Sequence, residues 1–181
     1  MERMEEAIPE ADHHALHHRL SESAWPERAV LDQVAQDANQ LLGGHTDSAL
    51  LIDESGCPKK GTQSVGVARQ WCGQLGKVEN CQVGVFAALS RGTEATLIDG
   101  RLFLPEAWTS DSARCQAAGI PQAHRGFQRK TALALAMIVH ARQQGIGLAW
   151  VGFDGFDGSD PGFLRALDDR GEVFVGDVHK D

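Results

Sequence analysis

The chain has no apolar run approaching the roughly 20 residues that a membrane-spanning helix needs. Its opening residues, MERMEEAIPEADHH, are acidic and polar and lack the pattern of a secretory signal. There is no C-x-x-C pair. Cys57, Cys72, Cys81 and Cys115 lie far apart, which argues against a zinc ribbon and fits reduced thiols in a cytosol. Positive charge is not in excess either: the formal net charge is −8, the wrong sign for a simple nucleic-acid binder. Internal repeats and low-complexity segments are missing. The expectation is a cytoplasmic chain with no membrane partner.

What is present is enough for a core, with 181 residues of which 42% are hydrophobic. The charge is unevenly spread. Residues 1–52 carry 3 basic and 10 acidic side chains, residues 53–130 carry 10 and 7, and residues 131–181 carry 4 and 8. Only the central third is basic, so a polyanion would be met there. ALHHRLSES and WPERAVLDQVAQDANQLLGG read as helices, the second with Val30, Val34, Leu41 and Leu42 on one face and Gly43-Gly44 as its stop. His13, His14, His17 and His18 form two pairs at i, i+4. Without an H-E-x-x-H pattern they read as a solvated helix surface rather than a metal grip.

From residue 48 the texture changes. SALLID, SVGVARQWCG and CQVGVFAALS are β-like segments separated by turn residues, which suggests an antiparallel meander. ATLIDGRLFLPEAW adds a short hairpin centred on Asp99-Gly100. TSDSARCQAAGIPQAHRGFQRK reads as a long polar connection. KTALALAMIVHARQQG is a strong helix, with Leu133, Met137, Ile138 and Ala141 as its apolar face, His140 on its surface and Gly145 as its end. IGLAWVGFD is a second apolar run. DPGFLRALDDRG is a short helix capped by Asp160 with Pro161 in first position, and EVFVGDV is a last strand. Trp71 and Trp150 read as core residues.

Two of the apolar runs meet an aspartate, Asp53 in LLIDESGCPKKG and Asp154 in WVGFDG. A dry strand that meets a carboxylate needs water, a cation or hydrogen bonds at that point. A strand following a right-handed crossover can lie beside the first, which would bring the two acids to one cleft. Two carboxylates there repel unless a divalent cation neutralises them, and oxygen ligands suit Mg²⁺ or Mn²⁺. Such a site can activate a water or a sugar hydroxyl in phosphodiester chemistry.

LLIDESGCPKKGTQSVGVARQWCGQLGKVENCQVGVF, LIDGRLFLPEAWTSD, WVGFDG and GEVFVGDVHKD resemble the catalytic core of DDE transposases of bacterial insertion sequences, the DDE superfamily endonuclease type. The likeness extends to MERM at 1–4 and ERAVLDQVA at 27–35. It implies an α/β, RNase H-like mixed sheet: antiparallel β1-β2-β3, then helix, parallel strand, helix and strand. It implies a helical leader over residues 1–46 and a partial catalytic core over 47–181. Asp53 and Asp154 are then the first two acids of the catalytic triad and its ligands for Mg²⁺ or Mn²⁺. Lys59, Lys60, Arg69 and Lys77 are candidates for DNA contact, since phosphate contacts need only positive charge.

The implied partners are transposon-end DNA, target DNA, and a second copy or an intact transposase, in a nucleoid-associated setting. The third acid of such enzymes, a glutamate on a later helix, has no match, so the expectation is a truncated core that is inactive alone. Phe156-Asp157 stands where relatives tend to carry an aromatic, and Asp157 is either a stray surface acid or a perturbation of the metal site. Two alternatives stay open. One is a non-catalytic remnant or regulatory fragment of a transposase. The other is a haloacid-dehalogenase-like phosphohydrolase with Asp53 as nucleophile, although Ser55 stands where that chemistry needs a general acid.

Overall fold

Alternation builds the sheet. In KVENCQVGVFAALSR, Cys81, Val83, Val85, Ala87 and Leu89 are buried while the residues between them are half-buried. The computed structural model of the protein describes residues 12–22, 26–154 and 158–177. In it this stretch is β3 (Lys77–Arg91), preceded by β1 (Ala49–Pro58) and β2 (Ala68–Cys72) and followed by β4 (Glu94–Leu102), β5 (Trp150–Phe153) and β6 (Phe174–Gly176). β1 runs antiparallel along one side of β3, from Ala49 opposite Ser90 to Pro58 opposite Cys81. The other side of β3 is divided, with β2 pairing to residues 77–81 and β4 to residues 84–91. Beyond β1, β5 and then β6 add in parallel. The protein is thus a mixed α/β chain with a six-stranded mixed sheet of order β2-β3-β1-β5-β6, β4 also pairing with β3.

The helices are α1 (His13–Ser21), α2 (Glu27–Leu42), α3 (Glu106–Thr109), α4 (Ser112–Ala117), α5 (Lys130–Gln143) and α6 (Pro161–Asp168). Two compact units divide the chain, residues 1–31 and 32–181. In the first, Asp12 caps α1 by accepting from the Ala15 N–H at 2.9 Å. In the second, one face of the sheet is covered. Leu133, Ala134, Met137 and Ile138 of α5, Ala35 and Ala38 of α2, and Phe163 and Leu167 of α6 pack on Leu50, Ile52, Val85, Leu89, Val151 and Phe153. Each large side chain buried there contributes about 1.5–3 kcal/mol. α5 ends as its sequence foretells, with Gly145 at φ 74°.

Several expectations are corrected. In α2 the inward residues are Ala35 and Ala38, with Leu42 packed against them, whereas Val30, Val34 and Leu41 are exposed. Polar anchors explain the rotation. Gln36 donates to the Gln144 carbonyl at 2.7 Å, Asn39 accepts from the Gly147 N–H at 2.8 Å, and Asp32 meets His140 Nε2 at 2.7 Å. Small alanines then let the helix sit close. His140 is accordingly half-buried rather than a plain surface residue.

The meander is also re-ordered, because β3 lies between β1 and β2. Asp99 and Gly100 are not a turn. They lie within β4, beside a bulge at Ala87/Ala88, and the reversal falls at Gly92, whose φ of 58° permits it. The polar connection holds a small core of its own, in which buried Trp108 donates Nε1–H to the Val67 carbonyl at 2.8 Å and packs with Cys115 and Ile120. Trp71 is not core, being 53% exposed, and Trp150 is half-buried.

Candidate active site

The register of β1 and β5 decides where the two aspartates stand. Ala49 pairs with Trp150 and Ile52 with Phe153, so Asp53 and Asp154 are the next residues of two adjacent parallel strands. Both are exposed. β5 ends at Phe153, but β1 continues to Pro58 because β3 offers backbone partners as far as Cys81. Asp53 is therefore a mid-strand residue beside the end of its neighbour, and not the end of its own strand as the sequence suggests. Its Oδ1 accepts from the Glu54 N–H at 2.7 Å, which fixes the carboxylate close to the backbone.

Alternation turns Asp53 to the face of the sheet opposite α5, in a row with Phe86 on β3 and Gly100 on β4. The Phe86 ring lies over two glycines: a Cβ at Gly84 would stand 2.6 Å from its Cζ, and one at Gly100 3.0 Å from its Cδ1. Leu51, Leu97, Leu102 and Val175 belong to the same face by register, and all are exposed. The aspartates therefore stand on a largely apolar surface.

Asp177 follows Gly176, the partner of Phe153, and its N–H points to the Phe153 carbonyl at 3.4 Å. Asp154 and Asp177 thus stand just past the ends of β5 and β6, in step with Asp53 in the middle of β1. Even so, no group of three metal-ligating side chains gathers among the described residues. Glu172 is engaged elsewhere, its Oε2 2.6 Å from Arg142 Nη2. His14, His17 and His18 on α1 are exposed. Asp157 lies outside the described residues.

The basic candidates gather at the other end of β3. Lys77 and Arg69 flank Glu79 at 3.2 and 3.9 Å, and the Asn80 side chain donates to the carbonyls of Lys59 and Gly61 at 2.8 and 2.7 Å. The Asn80 N–H, followed by the Lys77 ammonium, holds the Glu79 carboxyl below its ordinary range. Asn80 is six residues along β3 from Phe86, roughly 20 Å at the rise of a strand. Lys59, Lys60, Arg69 and Lys77 are therefore near one another but not beside the acid pair.

Charged groups that sequence reasoning passed over stand closer. Glu54 faces the helix side and meets Lys130, first residue of α5, at 2.5 Å. Thr131 donates its hydroxyl to Asp160 Oδ2 at 2.9 Å, and Asp160 Oδ1 accepts from the N–H groups of Gly162 and Phe163 at 2.9 and 3.3 Å. The Thr131 hydroxyl is the main reason that the Asp160 carboxyl sits below its usual range, the backbone donors and Arg129 adding to it and burial opposing. Phe103, Phe127, Arg129, Lys130, Ser159 and Pro161 join these two residues around a cavity of about 450 Å³. The only advance sign was the run of aromatic and basic residues in GFQRK, ahead of the strong helix.

β1 pairs antiparallel with β3 along its whole length and parallel with β5 before Asp53. No helix among the described residues is long and apolar enough to cross a membrane. No curated protein and no solved structure matches the chain. The family model described as DDE superfamily endonuclease matches residues 1–181. Endonucleases of that superfamily act on DNA and typically use divalent metals. With its whole length inside that match, the chain belongs to the DDE superfamily endonuclease family.

Proposed function

We propose that this chain is the catalytic core of an insertion-sequence transposase, with Asp53 and Asp154 as its acid pair on an RNase H-like sheet. The observation that carries the reading is the β1–β5 register, which sets the two residues side by side on parallel strands. Both are exposed carboxylates, hard oxygen donors of the kind that Mg²⁺ and Mn²⁺ take. The donor set therefore fits such an ion. When bound, the ion supplies Lewis-acid stabilisation of charge on phosphodiester oxygens. Asp53, pinned by the Glu54 N–H, and Asp154 orient the site. In this reading residues 1–46 are a helical leader and 47–181 the catalytic core.

Strand cleavage in such a site uses a third carboxylate, which does not join the pair among the described residues. Without a third carboxylate at the pair, the protein is expected neither to nick nor to join transposon-end and target DNA. The same gap favours a second reading, a regulatory partner of an intact transposase. Lys59, Lys60, Arg69 and Lys77 serve as phosphate contacts at the far end of β3, and the protein works in the cytoplasm at the nucleoid.

Calorimetric titration with Mn²⁺ tests the acid pair. The wild type is expected to give a binding isotherm that Asp53→Asn and Asp154→Asn each abolish. Equal heats from all three proteins would mean that the two aspartates are ordinary surface acids.

A further inference from the structure

The cavity between the N-terminal ends of α5 and α6 is not used by the acid pair. Its walls combine two chemistries. Phe103 and Phe127 stand edge to face with ring centroids 6.2 Å apart, and Phe127 is 46% exposed although it is a large aromatic side chain. Arg129 is exposed at the rim, and Lys130 reaches in with its Nζ 5.4 Å from the Phe103 ring centroid. Among the described residues the wall holds one carboxylate, Asp160, which already accepts three hydrogen bonds, from Thr131, Gly162 and Phe163. A flat π-system carrying an anionic group fits such walls: rings to stack on, the exposed Arg129 for the anion, and an acid that is already bound.

Position narrows the class. Ser159, Asp160 and Pro161 belong to the stretch just after Asp154, and Lys130 holds Glu54, the neighbour of Asp53. β5 ends at Phe153, so from Asp53 onward the β1 edge no longer pairs with it. Crevices outside the carboxyl ends of parallel strands are where ligands of α/β sheets bind. A DNA strand at Asp53 could pass over this edge from one face to the other.

We propose that the cavity holds one unpaired nucleotide of the DNA strand, its base stacked on Phe127 and its phosphate on Arg129. The volume of about 450 Å³ accommodates a base with its sugar. The idea rests on the DNA-processing reading above, but its test reads binding and does not depend on cleavage.

The experiment is fluorescence anisotropy of the 181-residue chain with a labelled single-stranded oligonucleotide and with the matching duplex. Phe127→Ala is expected to weaken single-strand binding about tenfold, the usual effect of losing one base–aromatic stack. Duplex binding should change little, and Phe127→Trp should restore what Phe127→Leu does not. Arg129→Gln should weaken single-strand binding and flatten its salt dependence. Phe127 is 46% exposed and lies against Phe103, so thermal melts check that its substitutions leave the protein folded. Equal affinities of Phe127→Ala and wild type for the single strand would overturn the proposal, as would no single-strand binding by the wild type. Full rescue by leucine would do the same, since it would mean packing rather than stacking. The two ideas fail separately, since the anisotropy of the Phe127 and Arg129 variants reads the cavity and the Mn²⁺ isotherm reads the acid pair.

Discussion

Replacing Asp160 by alanine removes two things at once. The carboxylate caps α6 through the Gly162 and Phe163 N–H groups, and it is the partner of the Thr131 hydroxyl, which is buried at the start of α5. Losing an N-cap costs about 1 kcal/mol. Leaving a buried hydroxyl without its acceptor costs about 1–3 kcal/mol. Urea unfolding followed by circular dichroism should therefore show a loss of about 2–4 kcal/mol. In a Thr131→Val background the same substitution should cost only the cap, about 1 kcal/mol, because no hydroxyl is left to orphan.

The pH dependence has a definite sign. The Asp160 carboxyl is held below its ordinary value, first by the Thr131 hydroxyl. A depressed folded-state pKa stabilises fully above the unfolded value of about 3.9 and loses that stabilisation as pH falls through the folded-state pKa. The gap between wild type and Asp160→Ala should be constant near neutrality and close below about pH 4. Asp160→Asn, which keeps one oxygen for the Gly162 and Phe163 N–H groups but not the charge or the second acceptor, should fall between wild type and the alanine variant at neutral pH. A loss under about 0.5 kcal/mol for the alanine variant, or a gap unchanged down to pH 3, would refute the reasoning.

Thiol labelling of the native protein should report one fast cysteine, Cys57, and four after denaturation, since Cys72, Cys81 and Cys115 are buried and burial pushes the Cys81 thiol up. Gly147→Ala should destabilise by about 1–3 kcal/mol in thermal melts, because its Cβ would stand 2.6 Å from the Gly44 backbone nitrogen, which has no rotamer to move. Of two tryptophans, Trp71→Ala should stay within about 1 kcal/mol of wild type, while Trp108→Phe should lose more than that with its hydrogen bond to Val67. The reverse order in a urea titration would contradict the burial of either ring.

The parts of the fold that could be read from the sequence are those fixed by local chemistry. α5 and α6 follow from apolar spacing, an aspartate cap, a proline in first position and a terminal glycine, all of which act within a few residues. The adjacency of Asp53 and Asp154 followed from the handedness of crossovers together with a family likeness. What sequence could not supply was decided by partners far along the chain. Asp99-Gly100 has the composition of a turn, yet the long β3 holds it in a strand and moves the reversal to Gly92. Val30 and Val34 look like a helix core until the polar anchors of Asp32, Gln36 and Asn39 rotate α2. The salt bridge of Lys130 with Glu54 joins residues on different elements, and no local pattern records it.

The parallel join between β1 and β5 links positions about a hundred residues apart, whereas β3 and β4 close through a two-residue turn. Loop closure disfavours the distant pairing until nearer contacts have formed, so the antiparallel half of the sheet should assemble first. During synthesis on the ribosome, Asp53 would then be in place long before Asp154 has emerged. On the proposed reading, the two carboxylates come side by side only once β5 has docked on β1.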